Sequence, residues 1–423
     1  MYQLFTLKNG IKVLLMPRAV SKQGIIVIGS RLGSRFETTK NNGIFHLTEH
    51  AILEGSANFP DPLEIDRKLD AIAGEINSSA DKDIILFYIL LPSLYLGNGF
   101  EILTDFILHP LLKGTLVEKE KNAILEEING NNDDLYDQAE TIFEKTIFSK
   151  HPLALPILGN HESVAKLTVS KVERCWRRIV NPKNLAITVV GNFDQVKIKS
   201  KIINTFSPLK SRFSMQPQVF KNIQFKRRIT ILPKDSEQII FQIGFPTFGR
   251  DSLSYFPLSV LNRILGGKYS SRLFQKIRGE KGLAYDICSD ICHYQDAGYI
   301  RIIFACSPKN FLENLDIVMN EIRRLKKDKV TPYELRETKT YLKGHAVVKF
   351  ENVKYTAEFY TSQLLRLEKI IPLKIYKKSI DSVKRADVQE IARKIFVNER
   401  LNLALVGNIN TEQQKELEKI LIL

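Results

Sequence analysis

Two early runs, Leu4–Leu15 and Ile25–Arg31, place apolar and β-branched residues at a period of two. That period marks strands, and Asn9-Gly10 inside the first run is a hairpin signal. A helix follows, opened by Gly43 and closed by Gly55, and then a second over Pro62–Ala73. Gly74–Ala80 reads as an edge strand and Asp83–Leu91 as a strand that Pro92 ends. Beyond it the pattern predicts a long helix over Ser93–Leu108 with Ser93 as N-cap, and an acidic helix over Val117–Phe148.

The pattern then repeats. Lys12–Pro17 (KVLLMP) matches Arg228–Pro233 (RITILP), and Val189–Asn192 (VVGN) matches Leu405–Asn408 (LVGN), both at one and the same offset. Helical patterns precede both closing strands, with Val172 and Val388 again at that offset. Repeats of domain length indicate duplication of one unit, since solenoid periods are about 20–50 residues. The expectation is an α+β fold of two duplicated sandwich domains, each a mostly antiparallel sheet with packed helices. Residues 1–207 and 229–423 form the domains, and 208–228, basic and without sustained periodicity, links them.

Composition narrows the class. At 423 residues, 44% hydrophobic and 26% charged, the chain is an ordinary globular protein, and no run of eighteen apolar residues suggests a membrane span. The N-terminus enters a strand pattern directly and has neither signal nor transit character, so a cytoplasmic location is expected. Four scattered cysteines, Cys175, Cys288, Cys292 and Cys306, read as free thiols in a reducing compartment. Cys288 and Cys292 lie on one strand, too far apart to share a metal easily. The net charge of +15 comes almost wholly from the second half, spread over amphipathic helices without a nucleic-acid-binding module. Residues 51–150 run the other way, with 8 basic and 19 acidic side chains. An acidic field around a site there would favour basic peptides.

The candidate chemistry opens that acidic block. In His46-Leu47-Thr48-Glu49-His50 the two imidazoles lie four residues apart on one helical face, where they can share a divalent metal. Glu49 between them is placed to move a proton, and the order H-x-x-E-H defines the inverzincin class. Such a site needs a third ligand. The acidic helix offers Glu120 and Glu127, seven apart on one stripe, with Glu126 about a quarter turn away. Glu54, four residues after His50, is a rival.

GIFHLTEHAILEGS, with Glu127 following it in EKNAILEE, resembles the family of pitrilysin, insulin-degrading enzyme and mitochondrial processing peptidase. The resemblance implies one zinc ion per chain, held by His46, His50 and Glu127, with Glu49 as base and Glu120 as a supporting carboxylate. LNRILGGKYSSRLFQKIRGEKGLAYD resembles the family's stretch with an arginine and a tyrosine seven residues apart, here Arg278 and Tyr285. Those two would hold substrate or the developing oxyanion. Two departures bear on specificity: Ala51 stands where the family has a bulky apolar residue, and Asn77-Ser78-Ser79-Ala80 replaces its usual Asn-Ala-x-Thr edge strand. No histidine or glutamate occupies the equivalent of the metal motif around Val260–Gly267.

The implied activity is that of a zinc endopeptidase acting on peptides or short unfolded segments. Family members enclose substrate between four related domains, so a two-domain chain implies a homodimer, or a heterodimer with a related subunit. The alternative is a non-catalytic structural or assembly subunit of the same fold, since relatives exist that lost the metal set. Neither nucleic acid nor membrane is an expected partner.

Overall fold

The computed structural model describes residues 2–211, 215–284 and 286–423. They form a mixed α/β fold with two sheets, one in each of two compact units.

In the first sheet, β1 (Gln3–Thr6), β2 (Lys12–Pro17), β3 (Gln23–Ser30), β4 (Glu75–Ala80), β5 (Ile85–Pro92) and β6 (Leu185–Gly191) lie in the order β1-β2-β6-β3-β5-β4. The hairpin forms as its Asn-Gly predicts, with Gly10 at φ +101°, a conformation that glycine adopts without strain. In the second sheet, β7 (Arg228–Leu232), β8 (Ile239–Phe248), β9 (Asp286–His293), β10 (Ala297–Cys306) and β11 (Asn402–Val406) lie in the order β7-β11-β8-β10-β9. Both sheets are antiparallel except for one parallel pair each, β2 with β6 and β7 with β11. The repeat extends to register. Lys12 stands opposite Ala186 and Arg228 opposite Asn402, the same pairing shifted by the offset of the repeat.

The compact units depart from the expected contiguous domains. The first comprises Met1–Asn129, Leu155–Gln218 and Val348–Ile371, and the second Gly130–Ala154, Val219–Val347 and Pro372–Leu423. Each sheet is apolar on both faces and needs helices on both. In the first unit, one face carries the helix Ile44–Leu53 and its neighbours, and the other carries the helix Val353–Leu367 from the second half of the chain. In the second unit, the helix Leu135–Phe148 from the first half covers the corresponding face.

The acidic helix is two helices, Gly114–Asp133 and Leu135–Phe148, not one. Asp134 restarts the second by accepting from the Tyr136 and Asp137 amides, as an N-cap does. The helix expected over Ser93–Leu108 starts at Leu96, after a 3-10 turn. Ser93 is no side-chain cap, because its hydroxyl donates to Ser21 O and accepts from the Asn192 amide. Among the described residues, 208–227 form neither helix nor strand, and no helix is long and apolar enough to cross a membrane. The four cysteines are free, with Cys175 and Cys306 buried and Cys288 and Cys292 half-buried on β9.

Candidate metal centre

The helix Ile44–Leu53 starts at Gly43, whose φ of +93° and tight quarters (a Cβ would meet Leu158 O at 2.6 Å) leave room for glycine alone. Its apolar residues Ile44, Phe45, Leu47, Ala51 and Ile52 enter the core. His46, Glu49 and His50 are thereby left on the opposite stripe, close to β4 and to the helix Gly114–Asp133. That arrangement follows from the helical period.

One ligand atom from each of His46, Glu49 and His50 lies within 4.8 Å of the others. Glu49 Oε2 stands 3.8 Å from His46 Nε2 and 3.9 Å from His50 Nε2, and Glu127 Oε2 is 4.0 Å from His46 Nε2. These separations are too long for hydrogen bonds. They suit donors arranged about one ion, since atoms about 2.0–2.2 Å from a shared centre lie roughly 3–4 Å apart. Glu120 Oε2 lies 3.1 Å from His50 Nδ1. With Nδ1 donating to that carboxylate, Nε2 keeps its lone pair for a metal. His46 Nδ1 is buried without a hydrogen-bond partner among the described residues. Neither carboxylate offered as third ligand is in that cluster: Glu127 stands 4.0 Å from His46 Nε2, whereas Glu54, the rival, is turned to Lys119 Nζ at 2.6 Å.

The electrostatics match a cation site. Burial, aided by the neighbouring His50, holds the His46 imidazole down to about 3, so it is the neutral ligand a metal requires. Burial pushes the Glu49 carboxyl above the usual carboxylate range, opposed by a hydrogen bond from Ser78 on β4 and by His50, and assisted by Glu127. That shift makes Glu49 a better proton acceptor than a carboxylate in water. Glu127 is also raised, chiefly by burial, although its side chain is 44% exposed. The donor set of two imidazoles and adjacent carboxylates fits a divalent metal of the zinc type.

Arg278 belongs to the second unit, in a π-helical turn over Phe274–Glu280, with its guanidinium 5.2 Å from the Phe274 ring centroid. Tyr285 lies outside the described residues. Sequence reasoning misses one residue beside the centre: Ser78 reads in the sequence only as part of an edge strand, whereas its side chain faces Glu49.

Comparison with known proteins supplies the family. The model described as insulinase (peptidase family M16) matches residues 16–161, and the one described as the peptidase M16 inactive domain matches residues 166–342. The chain belongs to the M16 peptidase family. Among its M16 relatives, the uncharacterized zinc protease YmxG of Bacillus subtilis is 27% identical over 96% of this chain and 98% of its own. An uncharacterized zinc protease of Rickettsia felis is 29% identical over 93% and 95%. A protease from Helicobacter pylori superposes with a TM-score of 0.90 at 20% identity, over 96% of this chain and 99% of its own. A Pseudomonas fluorescens structure titled as a peptidase M16 inactive domain gives 0.89 at 17% identity, over 97% and 98%. At such identities the superpositions speak for the fold.

Proposed function

We propose that this M16 chain is a zinc-dependent endopeptidase that cleaves extended peptides. The observation that carries the reading is the cluster on one helix. His46, Glu49 and His50 bring ligand atoms within 4.8 Å of one another, and Glu120 fixes the ring of His50. His46, His50 and Glu127 would hold zinc. The metal supplies Lewis acidity, polarising the scissile carbonyl and lowering the pKa of water at the site.

The chain's own residues do the rest. Glu49, raised by burial, takes a proton from the attacking water and delivers it to the leaving amine. β4 is an edge strand with alternating exposure, so an extended peptide pairs with its free backbone groups near Asn77–Ala80. Arg278 and Tyr285 would bind substrate or the oxyanion from a second copy of the chain, the dimer that a two-domain member needs to enclose its substrate. The relatives' names as zinc proteases support the reading, and the intact donor set weighs against a purely structural subunit.

Digestion of a peptide library by the purified chain, with and without a chelator, tests this. Cleavage that stops with the chelator is the expected result. The variant Glu49→Gln is expected to bind zinc and lose turnover, and undiminished cleavage by it would overturn the scheme. Sedimentation tests the dimer, which a fully active monomer would exclude.

A further inference from the structure

The helix that carries the metal motif has no N-cap side chain of its own. Its N-cap position is Gly43, and the orphan amides of the first turn must find acceptors elsewhere. They find Glu37. Its Oε2 accepts from the Gly43 amide at 2.8 Å and from Asn42 Nδ2 at 2.7 Å, and its Oε1 accepts from the Phe45 amide at 2.9 Å. The residue is 2% exposed.

Glu37 is itself braced. It follows the 3-10 turn Ser34–Phe36, whose Ser34 and Arg35 amides donate to Asp81 O and Lys82 O at 3.2 and 3.0 Å. Arg35 Nη1 donates to Asp83 Oδ1 at 2.8 Å, with both side chains buried. A Cβ at Gly33 would collide with Asp81 O, so the turn lies directly on the chain between β4 and β5. From the other side Asn42 Nδ2 donates also to Pro156 O at 2.8 Å. The path from the β4–β5 turn to the start of the motif helix is therefore a run of buried, directional bonds.

A buried carboxylate is a costly way to tie a helix end. Capping alone would be served by a serine or an asparagine at the N-cap, at less desolvation cost. What the carboxylate supplies is two acceptor oxygens facing three donors, a fixed seat that one amide oxygen does not reproduce. His46 directly follows Phe45, so any slide or tilt of this end moves both imidazoles relative to Glu127.

We propose that Glu37 is a positioning residue for the metal centre: by anchoring the first turn of the motif helix it sets the placement of His46 and His50 against Glu127. This rests on the reading of the centre as a zinc site. Several groups face Glu37. Asn42, Gly43 and Phe45 bond it from the motif helix and its lead-in. Lys82 acts on it from the β4–β5 turn, and the Cys175 thiol faces it from the helix Val169–Ile179. Lys82 Nζ also donates to Leu155 O at 3.0 Å.

The test compares Glu37→Gln with the wild-type chain and with Thr361→Val. The control removes a buried hydroxyl that donates to Thr188 Oγ1 at 2.7 Å in the same unit, far along the chain from the motif helix. Zinc affinity is read at pH 8, where Glu37 is ionised, by competition with a chelating dye, and coordination geometry by the visible spectrum of the cobalt-substituted protein. Glu37→Gln is expected to lose roughly tenfold in zinc affinity and to shift the cobalt bands, because misplacement of site groups by a fraction of an ångström has effects of that size. Thr361→Val should leave both readouts unchanged, whatever it does to thermal stability. Zinc affinity within twofold of wild type and an unshifted cobalt spectrum in Glu37→Gln would overturn the proposal, as would equal losses in the control. If Glu37→Gln does not fold, Asn42→Ala removes one donor of the three and is expected to lose about threefold, with no loss counting against the proposal. Absence of zinc binding by the wild-type chain would instead refute the zinc reading on which the proposal stands.

Discussion

Replacing Glu120 tests whether the metal centre is tuned from outside its ligands. Glu120 Oε2 lies 3.1 Å from His50 Nδ1, and the residue is 7% exposed. The carboxylate selects the tautomer with hydrogen on Nδ1 and strengthens Nε2 as a ligand. Loss of such a partner lowers metal affinity by about 10–100-fold, or roughly 1.4–2.7 kcal/mol. Glu120→Gln keeps an oxygen that Nδ1–H can reach and loses the charge, so its affinity should fall about tenfold. Glu120→Ala loses the acceptor, but His50 is partly open to solvent and water replaces some of the bond, so up to about a hundredfold is expected. Lys119 Nζ pairs with Glu54 at 2.6 Å and with Glu120 Oε1 at 3.6 Å; both variants break the second pair, and Lys119→Gln, which breaks it without touching His50, serves as the control. Zinc titration against a chelating dye at constant pH measures the affinity. If Glu120→Ala binds zinc within twofold of wild type, the carboxylate does not tune His50 and the reasoning fails.

Burial raises the Glu37 carboxyl from 4.5 to about 7, so the folded state holds its proton more tightly than the unfolded chain does. The stability this contributes is present in full below pH 4.5 and lost as pH rises through about 7. Relative to Glu37→Gln, the wild-type chain should therefore lose about 3 kcal/mol across that window. Parallel denaturation of the two proteins from pH 4.5 to 8 checks it, and parallel stability curves would refute it. Asp83→Ala should cost about 3–5 kcal/mol, because it leaves Arg35 charged and buried after losing a 2.8 Å partner. Denaturant titration measures this, and a loss under about 1 kcal/mol would show that the pair contributes little.

The fold was legible where one physical rule acts along a short stretch of chain. Alternation marked β2 and β3, Asn9-Gly10 the hairpin, and the constant offset between matching segments a duplication that the paired registers of Lys12 and Arg228 bear out. Partner choice was not legible. Leu135–Phe148 and Val353–Leu367 form apolar-faced helices, yet nothing in a helical period says which sheet the face meets, and each packs in the unit of the other half. The break at Asp134 was hidden because the acidic pattern runs through it and only the capping bonds reveal a restart. The candidate site divides in the same way. His46, Glu49, His50 and the Glu120–Glu127 stripe follow from helical spacing, whereas Ser78 meets Glu49, and Glu37 the start of the motif helix, through tertiary placement alone.

The duplication also bears on why, among the described residues, the candidate metal cluster lies in the first unit alone. At the offset that relates Lys12 to Arg228, His46 corresponds to Asn262, Glu49 to Leu265 and His50 to Gly266. The helix Tyr255–Leu265 stops where its counterpart continues, and Leu265 is fully buried in the core of the second unit. Asn262 Oδ1 accepts from the Ser289 hydroxyl on β9 at 2.6 Å. Gly266 leaves no space for an imidazole, because a Cβ there would lie 2.8 Å from Ser289 Oγ and 2.9 Å from the Ser289 amide nitrogen. Restoring histidine at that position would force β9 outward or unwind the helix end. At this position the helix end lies directly on β9, the Ser289 amide donating to Gly266 O at 3.1 Å, so ligand substitutions alone would not recreate the centre there.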